Sequence, residues 1–364
     1  MRGLIEYLHT EFNLTILTFC KEKNSSHNFK YISLPYKFYF LNFIWFLFKI
    51  IKEKNNHDVL FVDNRKTAAV VAIIYFFVKD KILIQDVREF YTIRESKSLK
   101  SLIGTLFEGF LIKKSNIIIT ANEHRARLTK ILYNLKIKPL VYENRRAFPK
   151  EGISASLANK NYFFDVISES KISINQNKLN LVSTSGFTIE RGCLEIVKSA
   201  EKFNKQVNLY FIGKTYGKDQ KVLTDYIKKK SITNVFLFNQ ISLSELSVFL
   251  RNMDVGVVNY SKKNRNNIYC ASGKIFEFLS LGIPVLCSDN ITLSDIVSRY
   301  KCGTSNNNFN KSIENFISNI SLYKKSVNNI DLMQEIENYN KEFVFSLTQR
   351  VNYKLYDSIT IKKI

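Results

Sequence analysis

Proline is scarce in this chain, at four residues in 364, and glycine numbers only twelve, which excludes long flexible linkers. The five cysteines (Cys20, Cys193, Cys270, Cys287, Cys302) form no close pairs, and the four histidines show no ligand spacing. Neither a disulfide framework nor a zinc site is indicated, and a reducing cytoplasm fits. No signal peptide is read at the start, because Glu6 and His9 interrupt the first apolar run. No stretch reaches the roughly twenty apolar residues of a membrane span. The nearest, Phe38 to Ile51, has fourteen residues and includes Asn42 and Lys49; it reads as a core or interfacial helix. Thr67 to Val78 is also strongly apolar and reads as a buried helix.

The length suits two domains of roughly 100 to 200 residues each. Hydrophobic residues at 45% and charged residues at 24% are the composition of a globular protein with ample core. Acidic charge is in short supply: 54 Lys and Arg stand against 32 Asp and Glu, or +22, which favours phosphate-rich partners. From Lys113 to Lys150 ten basic residues, including Arg125, Arg127, Arg145 and Arg146, face only Glu123 and Glu143. A nucleic-acid face, an anionic membrane face and a solvated surface all read this way.

Short apolar runs alternate with turns and amphipathic stretches, the rhythm of parallel βα units. Strands are expected at Leu14–Phe19, Val59–Val62, Ile82–Gln85, Ile117–Thr120 and Leu140–Tyr142. In the second half they are expected at Leu179–Ser183, Asn208–Ile212, Val235–Phe238, Val255–Val258 and Pro284–Cys287. Phe148 to Lys178 breaks the rhythm and is placed at the boundary. The chain opens on an amphipathic helix, Arg2 to Phe12, where a doubly wound domain begins with a strand and a glycine-rich turn. A first strand is therefore missing or lies upstream.

The most informative unit is Ala271-Ser-Gly-Lys-Ile-Phe-Glu-Phe-Leu-Ser-Leu-Gly-Ile-Pro-Val-Leu-Cys-Ser-Asp289. It reads as a loop, a short helix capped by Ser272, a stop at Gly282 and Pro284, and a buried strand. Lys274 and Glu277 share one face. With the helix N-terminus they could meet the phosphates and ribose of a nucleoside diphosphate. The same pair could equally be a surface ion pair.

This unit resembles the donor-binding segment of the GT-B glycosyltransferases, especially the retaining nucleotide-sugar branch (group 1, family 4-like), in which a glutamate sits five residues before the glycine of a Gly-x-Pro-Val turn. Glu277 and Gly282 match that spacing. A second glutamate, eight residues earlier in the branch, is replaced here by Tyr269. The resemblance continues through Leu181-Val-Ser-Thr-Ser-Gly-Phe-Thr-Ile-Glu-Arg-Gly192, Leu209 to Gly213, Val235 to Leu246 and Asp254 to Val258.

It implies two doubly wound Rossmann-like domains, 1–160 on the acceptor side and 161–335 binding the nucleotide-sugar, with a helix over 336–364 crossing back. Arg191, Lys274 and Glu277 are the implied catalytic residues, the two cations neutralising the leaving diphosphate. Gly186, Gly213, Asn239, Ile241, Tyr269, Ser272 and Gly273 are implied donor contacts. Asp86, Arg88 and Glu89, after the strand ending at Gln85, are acceptor-side candidates by a weaker likeness.

No Asp-x-Asp pair occurs, so neither a metal nor a resident cofactor is expected. The implied reaction is glycosyl transfer to a glycan or lipid-linked acceptor in cell-surface polysaccharide synthesis, such as O-antigen, lipopolysaccharide or capsule. The enzyme is expected in the cytoplasm, resting peripherally on the anionic inner face of the membrane through its basic first domain and the apolar helix around Trp45. A catalytically silent partner subunit of the same fold is the alternative, suggested by Tyr269 and the missing strand. Nucleic acid is not an expected partner, because no recognition module or stacking platform is present.

Overall fold

The computed structural model describes residues 2–18, 30–33, 39–96, 98–148, 177–186, 188–214 and 217–361. Cys20, Phe38 and most of the expected 148–178 linker lie outside the described residues. The chain divides into two units, Met1–Glu143 with Ile336–Ile364, and Asn144–Glu335.

The first unit begins with α1 (Arg2–Glu11), β1 (Thr15–Thr18), β2 (Lys30–Ser33) and α2 (Tyr39–Glu53). It continues with β3 (Val59–Asp63), α3 (Asn64–Ile73), α4 (Tyr75–Val78), β4 (Ile82–Val87), α5 (Leu99–Lys114), β5 (Ile117–Thr120), α6 (Glu123–Leu132) and β6 (Leu140–Val141). Strands β3 to β6 form a parallel sheet in that order, while β1 and β2 pair separately. Every residue of β4 is buried, as expected of a parallel strand covered on both faces. Phe46, Ile50, Val70 and Leu111 from α2, α3 and α5 pack with Val62 and Leu83. Leu4 and Leu8 of α1 pack with Ile84, Ile119, Phe343 and Leu347.

The helix expected as buried over Thr67–Val78 is broken at Ile74, whose φ of −99° and ψ of 16° end α3. Its outer side is exposed at Ile73, Phe76 and Phe77. A run of apolar residues records hydropathy on all sides of a helix, whereas only Ala68, Val70, Val71 and Ala72 of α3 turn inward.

The second unit contains β7 (Leu179–Ser183), α7 (Cys193–Lys202), β8 (Val207–Ile212), α8 (Gly217–Lys229), β9 (Val235–Phe238), α9 (Leu243–Leu250) and β10 (Val255–Val258). Then come α10 (Arg265–Ile268), α11 (Gly273–Ser280), β11 (Val285–Cys287), α12 (Ile291–Tyr300), β12 (Gly303–Ser305), α13 (Phe309–Asn328) and α14 (Leu332–Ile361), the last continuing into the first unit. All six strands are parallel, in the order β12-β11-β10-β7-β8-β9. This is a doubly wound sheet with its order reversing between β7 and β10. β12 (Gly-Thr-Ser) and β2 (Lys-Tyr-Ile-Ser) were not legible, because neither carries the continuous apolar run by which the other strands were read.

Candidate functional site

Chains leaving β7 and β10 diverge to opposite sides, so a crevice opens at their carboxyl ends, where doubly wound sheets hold ligands. After β7 the chain turns through Gly186 at φ +78°, and after β8 through Gly213 at φ +148°. A Cβ on Gly213 would meet the Gly186 Cα and N at 3.0 Å. Only two glycines in these conformations let the two loops touch by their backbones. Thr184, Gly186, Gly213, Gln240, Ile241 and Lys274 are among the residues lining a pocket of about 330 Å³ beside them. Leu243 and Leu246 of α9 form part of its apolar wall.

The first turn of α11 is fixed from behind. Ile275, Phe276, Phe278 and Leu279 are buried, and the helix stops in a double hydrogen bond: Gly282 N donates to Leu279 O at 3.1 Å and Ile283 N to Phe278 O at 3.0 Å. The φ of +74° at Gly282 allows that closure. Ser272 occupies the N-cap position, but its side chain makes no capping hydrogen bond, contrary to the expectation. Among the described residues its buried Oγ has no hydrogen-bond partner, and the same is true of the buried hydroxyls of Ser185 and Thr188. Such unsatisfied groups are costly unless a ligand or solvent meets them.

Lys274 Nζ donates to Thr184 Oγ1 at 2.9 Å and lies 3.9 Å from Glu277 Oε2. Glu277 Oε1 is 3.8 Å from Arg146 Nη1, and its side chain is 14% exposed. Burial lowers the Lys274 pKa; Glu277 opposes that shift, and Arg191 and Arg146 add to it. Arg191 closes the turn Ile189–Arg191 with its guanidinium carbon 5.2 Å from the Tyr260 ring centre, a cation–π contact that orients it. Its carbonyl accepts from Asn259 Nδ2 at 2.5 Å. Lys274 and Arg146 thus flank the Glu277 carboxylate, and Arg191 acts electrostatically on Lys274 in the first turn of α11, a cationic setting for an anion at a helix N-terminus.

Gly186, Gly213, Ile241 and Lys274 line the pocket; Arg191, in the turn after β7, and Ser272, Gly273 and Glu277, at and in α11, are not among its lining residues. Asn239 is exposed beyond β9 and is not among the lining residues. Tyr269 caps the end of α10 and is likewise outside the lining. Glu245 instead accepts from Ser242 N at 2.7 Å in a capping box. Thr184, Arg146 and Tyr260 were not singled out as site residues from the sequence. Arg146 Nε also donates to Asn144 Oδ1 at 3.0 Å, and a Cβ on Gly273 would meet Arg146 Cδ at 2.8 Å.

In the first unit Asp86 pairs in register with Asp63 at the carboxyl ends of β4 and β3. Arg88 Nε lies 3.3 Å from Asp86 Oδ2 and also contacts Asp63 Oδ1. Arg125 Nη1 donates to the Arg88 carbonyl at 2.6 Å. Burial raises the Asp86 pKa to about 6, against the pull of Arg88. Glu89 is exposed. Asp63, the partner the sequence reading missed, ends an ordinary-looking strand and carries no motif.

No family model matches the chain, and no curated protein does. Among solved structures it is similar to Anabaena HepE in complex with UDP and glucose, with a TM-score of 0.64, 12% identity, and 98% of this chain and 95% of that one covered. It is similar to WaaG, a glycosyltransferase involved in lipopolysaccharide biosynthesis, at TM-score 0.60 and 13% identity over 94% of this chain and 90% of that one. A glycosyltransferase from Rickettsia africae gives a TM-score of 0.57 at 14% identity, covering 100% and 94%. With a parallel sheet in each unit and matches over nearly the whole length of these structures, the chain has the GT-B glycosyltransferase fold.

Proposed function

We propose that the chain is a glycosyltransferase that takes a sugar from a nucleoside-diphosphate donor held at the carboxyl ends of β7 and β10. The observation that carries this reading is the placement of Lys274, tied to Thr184 and followed one turn later by Glu277, at a helix N-terminus bordering the pocket. The first turn of α11 and Lys274 face the diphosphate, Glu277 accepts from the ribose hydroxyls, and Ile241 and Leu246 flank the base. In the reaction the anomeric C–O bond to the diphosphate breaks, an acceptor oxygen bonds to that carbon, and the acceptor's proton leaves. Arg191 and Lys274 stabilise the charge developing on the departing phosphate, the electrostatic contribution that dominates such catalysis.

HepE was solved with UDP-glucose, so UDP-sugars are the first donors to test, and a hexosyl group is the first sugar. On the acceptor side, Asp86, Arg88 and Glu89 of the first unit are proposed contacts for a glycan or lipid-linked saccharide in surface polysaccharide synthesis. The WaaG likeness supports that choice of pathway. Turnover is expected to persist in chelator, because the cationic side chains supply the charge a metal would bring. Titrating UDP-, GDP- and ADP-sugars tests the reading, with hydrolysis or transfer measured in the same samples. Binding without any turnover would favour the silent-subunit alternative that Tyr269 suggests.

A further inference from the structure

Part of the basic run Lys113–Lys150 is engaged within the protein. Arg125 is buried and bonded to the Arg88 carbonyl, Arg127 and Lys138 both pair with Glu123, and Arg145 pairs with Glu335. The surface that remains conspicuous lies elsewhere, on the outer side of the helices covering one face of the first unit's sheet.

On α2 the exposed positions are Leu41, Ile44 and Phe48, opposite buried Phe46 and Ile50. On α5 they are Leu99, Ile103, Leu106 and Phe110, again at spacings of three and four. Between them α4 presents Phe76 at 76% exposure and Phe77 at 58%. The stripes adjoin one another. Arg65 of α3 pairs with Glu108 of α5 at 3.1 Å, Tyr75 meets Phe110 edge-on at 5.5 Å, and Lys54, just after α2, donates to the Phe77 carbonyl at 2.7 Å. A helix that faces water ordinarily shows charge there; these show apolar side chains at helical spacing.

The charges bordering the stripes select the occupant. Lys52 ends the α2 stripe, Lys113 and Lys114 end that of α5, and Lys79 follows α4, all exposed. Against them stands Asp80, 3.9 Å from Lys81. Among the described residues no helix is long and apolar enough to cross a membrane. Apolar stripes rimmed by cations, without a span, are the pattern of a surface that lies in the headgroup region of an anionic bilayer.

We propose that this face of α2, α4 and α5 docks the first unit on an anionic lipid bilayer, its apolar stripes entering the headgroup boundary and its rim lysines meeting lipid phosphates. The proposal deepens the reading of a lipid-linked acceptor and rests on it for its purpose, though not for its test. Trp45, within the helix expected to rest on the membrane, itself packs against the core of the unit with Lys49 over its ring at 4.9 Å.

Flotation of the full chain at physiological salt tests this, with phosphatidylcholine vesicles made with and without about one-third phosphatidylglycerol. The variants are a combined Phe48→Ser, Phe76→Ser, Phe77→Ser, Leu106→Ser and a combined Lys79→Glu, Lys113→Glu, Lys114→Glu. Parent protein is expected to float with the anionic vesicles only, and each combined variant to partition at least about tenfold less. Circular dichroism and UDP binding should be unchanged, since none of these side chains is in the core or the donor pocket. Failure of the parent to float, or flotation of the apolar variant like the parent, overturns the proposal. So does a parent dimer that the apolar variant dissolves without lipid, which would make the face a self-association surface. Flotation without UDP binding leaves the docking standing and removes the transferase reading; UDP binding without flotation does the reverse.

Discussion

Lys274 reaches across the crevice from the first turn of α11 to hydrogen-bond Thr184 at the end of β7, 2.9 Å away and 90 residues back in the chain. The contact joins the two elements that flank the switch point of the sheet, and it holds a cation where a donor phosphate is proposed to lie. Lys274→Ala is expected to weaken nucleoside-diphosphate binding by roughly 10- to 100-fold, the worth of a charge-assisted hydrogen bond. Thr184→Val, which removes only the tether, should cost less than tenfold. Calorimetric titration with UDP checks both, and equal losses would show that the tether rather than the charge matters.

Gly213 sits where a side chain has no room. Gly213→Ala should destabilise the chain by about 1 to 3 kcal/mol, since φ of +148° is a strained conformation for alanine. The backbone of Gly186 lies 3.0 Å from the new Cβ, so UDP affinity should fall with stability. Gly217→Ala is the control: nothing lies within 4 Å of its Cβ, and its effect should stay within about 0.5 kcal/mol. Urea unfolding of the three proteins measures the contrast.

Glu108 gives the first unit a pH signature. Burial raises its pKa from 4.5 to about 7, partly offset by Arg65 at 3.1 Å. Below pH 4.5 the carboxyl is protonated in both folded and unfolded chains, and its favourable contribution is fully present. As pH rises through about 7 the unfolded chain has already released the proton that the folded one retains, so stability declines across that window. The Glu108 share of the decline should be on the order of 3 kcal/mol, and Glu108→Gln should remove it from unfolding curves collected from pH 4.5 to 8, leaving the decline owed to the raised Asp86.

The second unit was readable because parallel strands buried on both faces leave continuous apolar runs, as in β8 and β10, where every residue is buried. Lys274 and Glu277 were readable because three-residue spacing on one helix is a local fact. Thr184 and Arg146 were not, because nothing in a sequence places them against residues about a hundred positions away. Ser272 took the expected place at the head of α11 without the expected hydrogen bond, since position can be read from a pattern and side-chain rotation cannot. Thr67–Val78 failed for a related reason. Hydropathy counted its phenylalanines, while Phe76 and Phe77 point outward.

The most direct measurement titrates UDP-sugars into the parent protein and into Glu277→Ala, alongside a UDP analogue lacking the ribose hydroxyls. The parent should bind at least one UDP-sugar and discriminate against the deoxygenated analogue; Glu277→Ala should lose that discrimination and bind UDP about tenfold or more weakly. A parent that binds no nucleotide-sugar, or a Glu277→Ala variant that binds and discriminates as the parent does, would contradict the assignment of a donor site to this crevice.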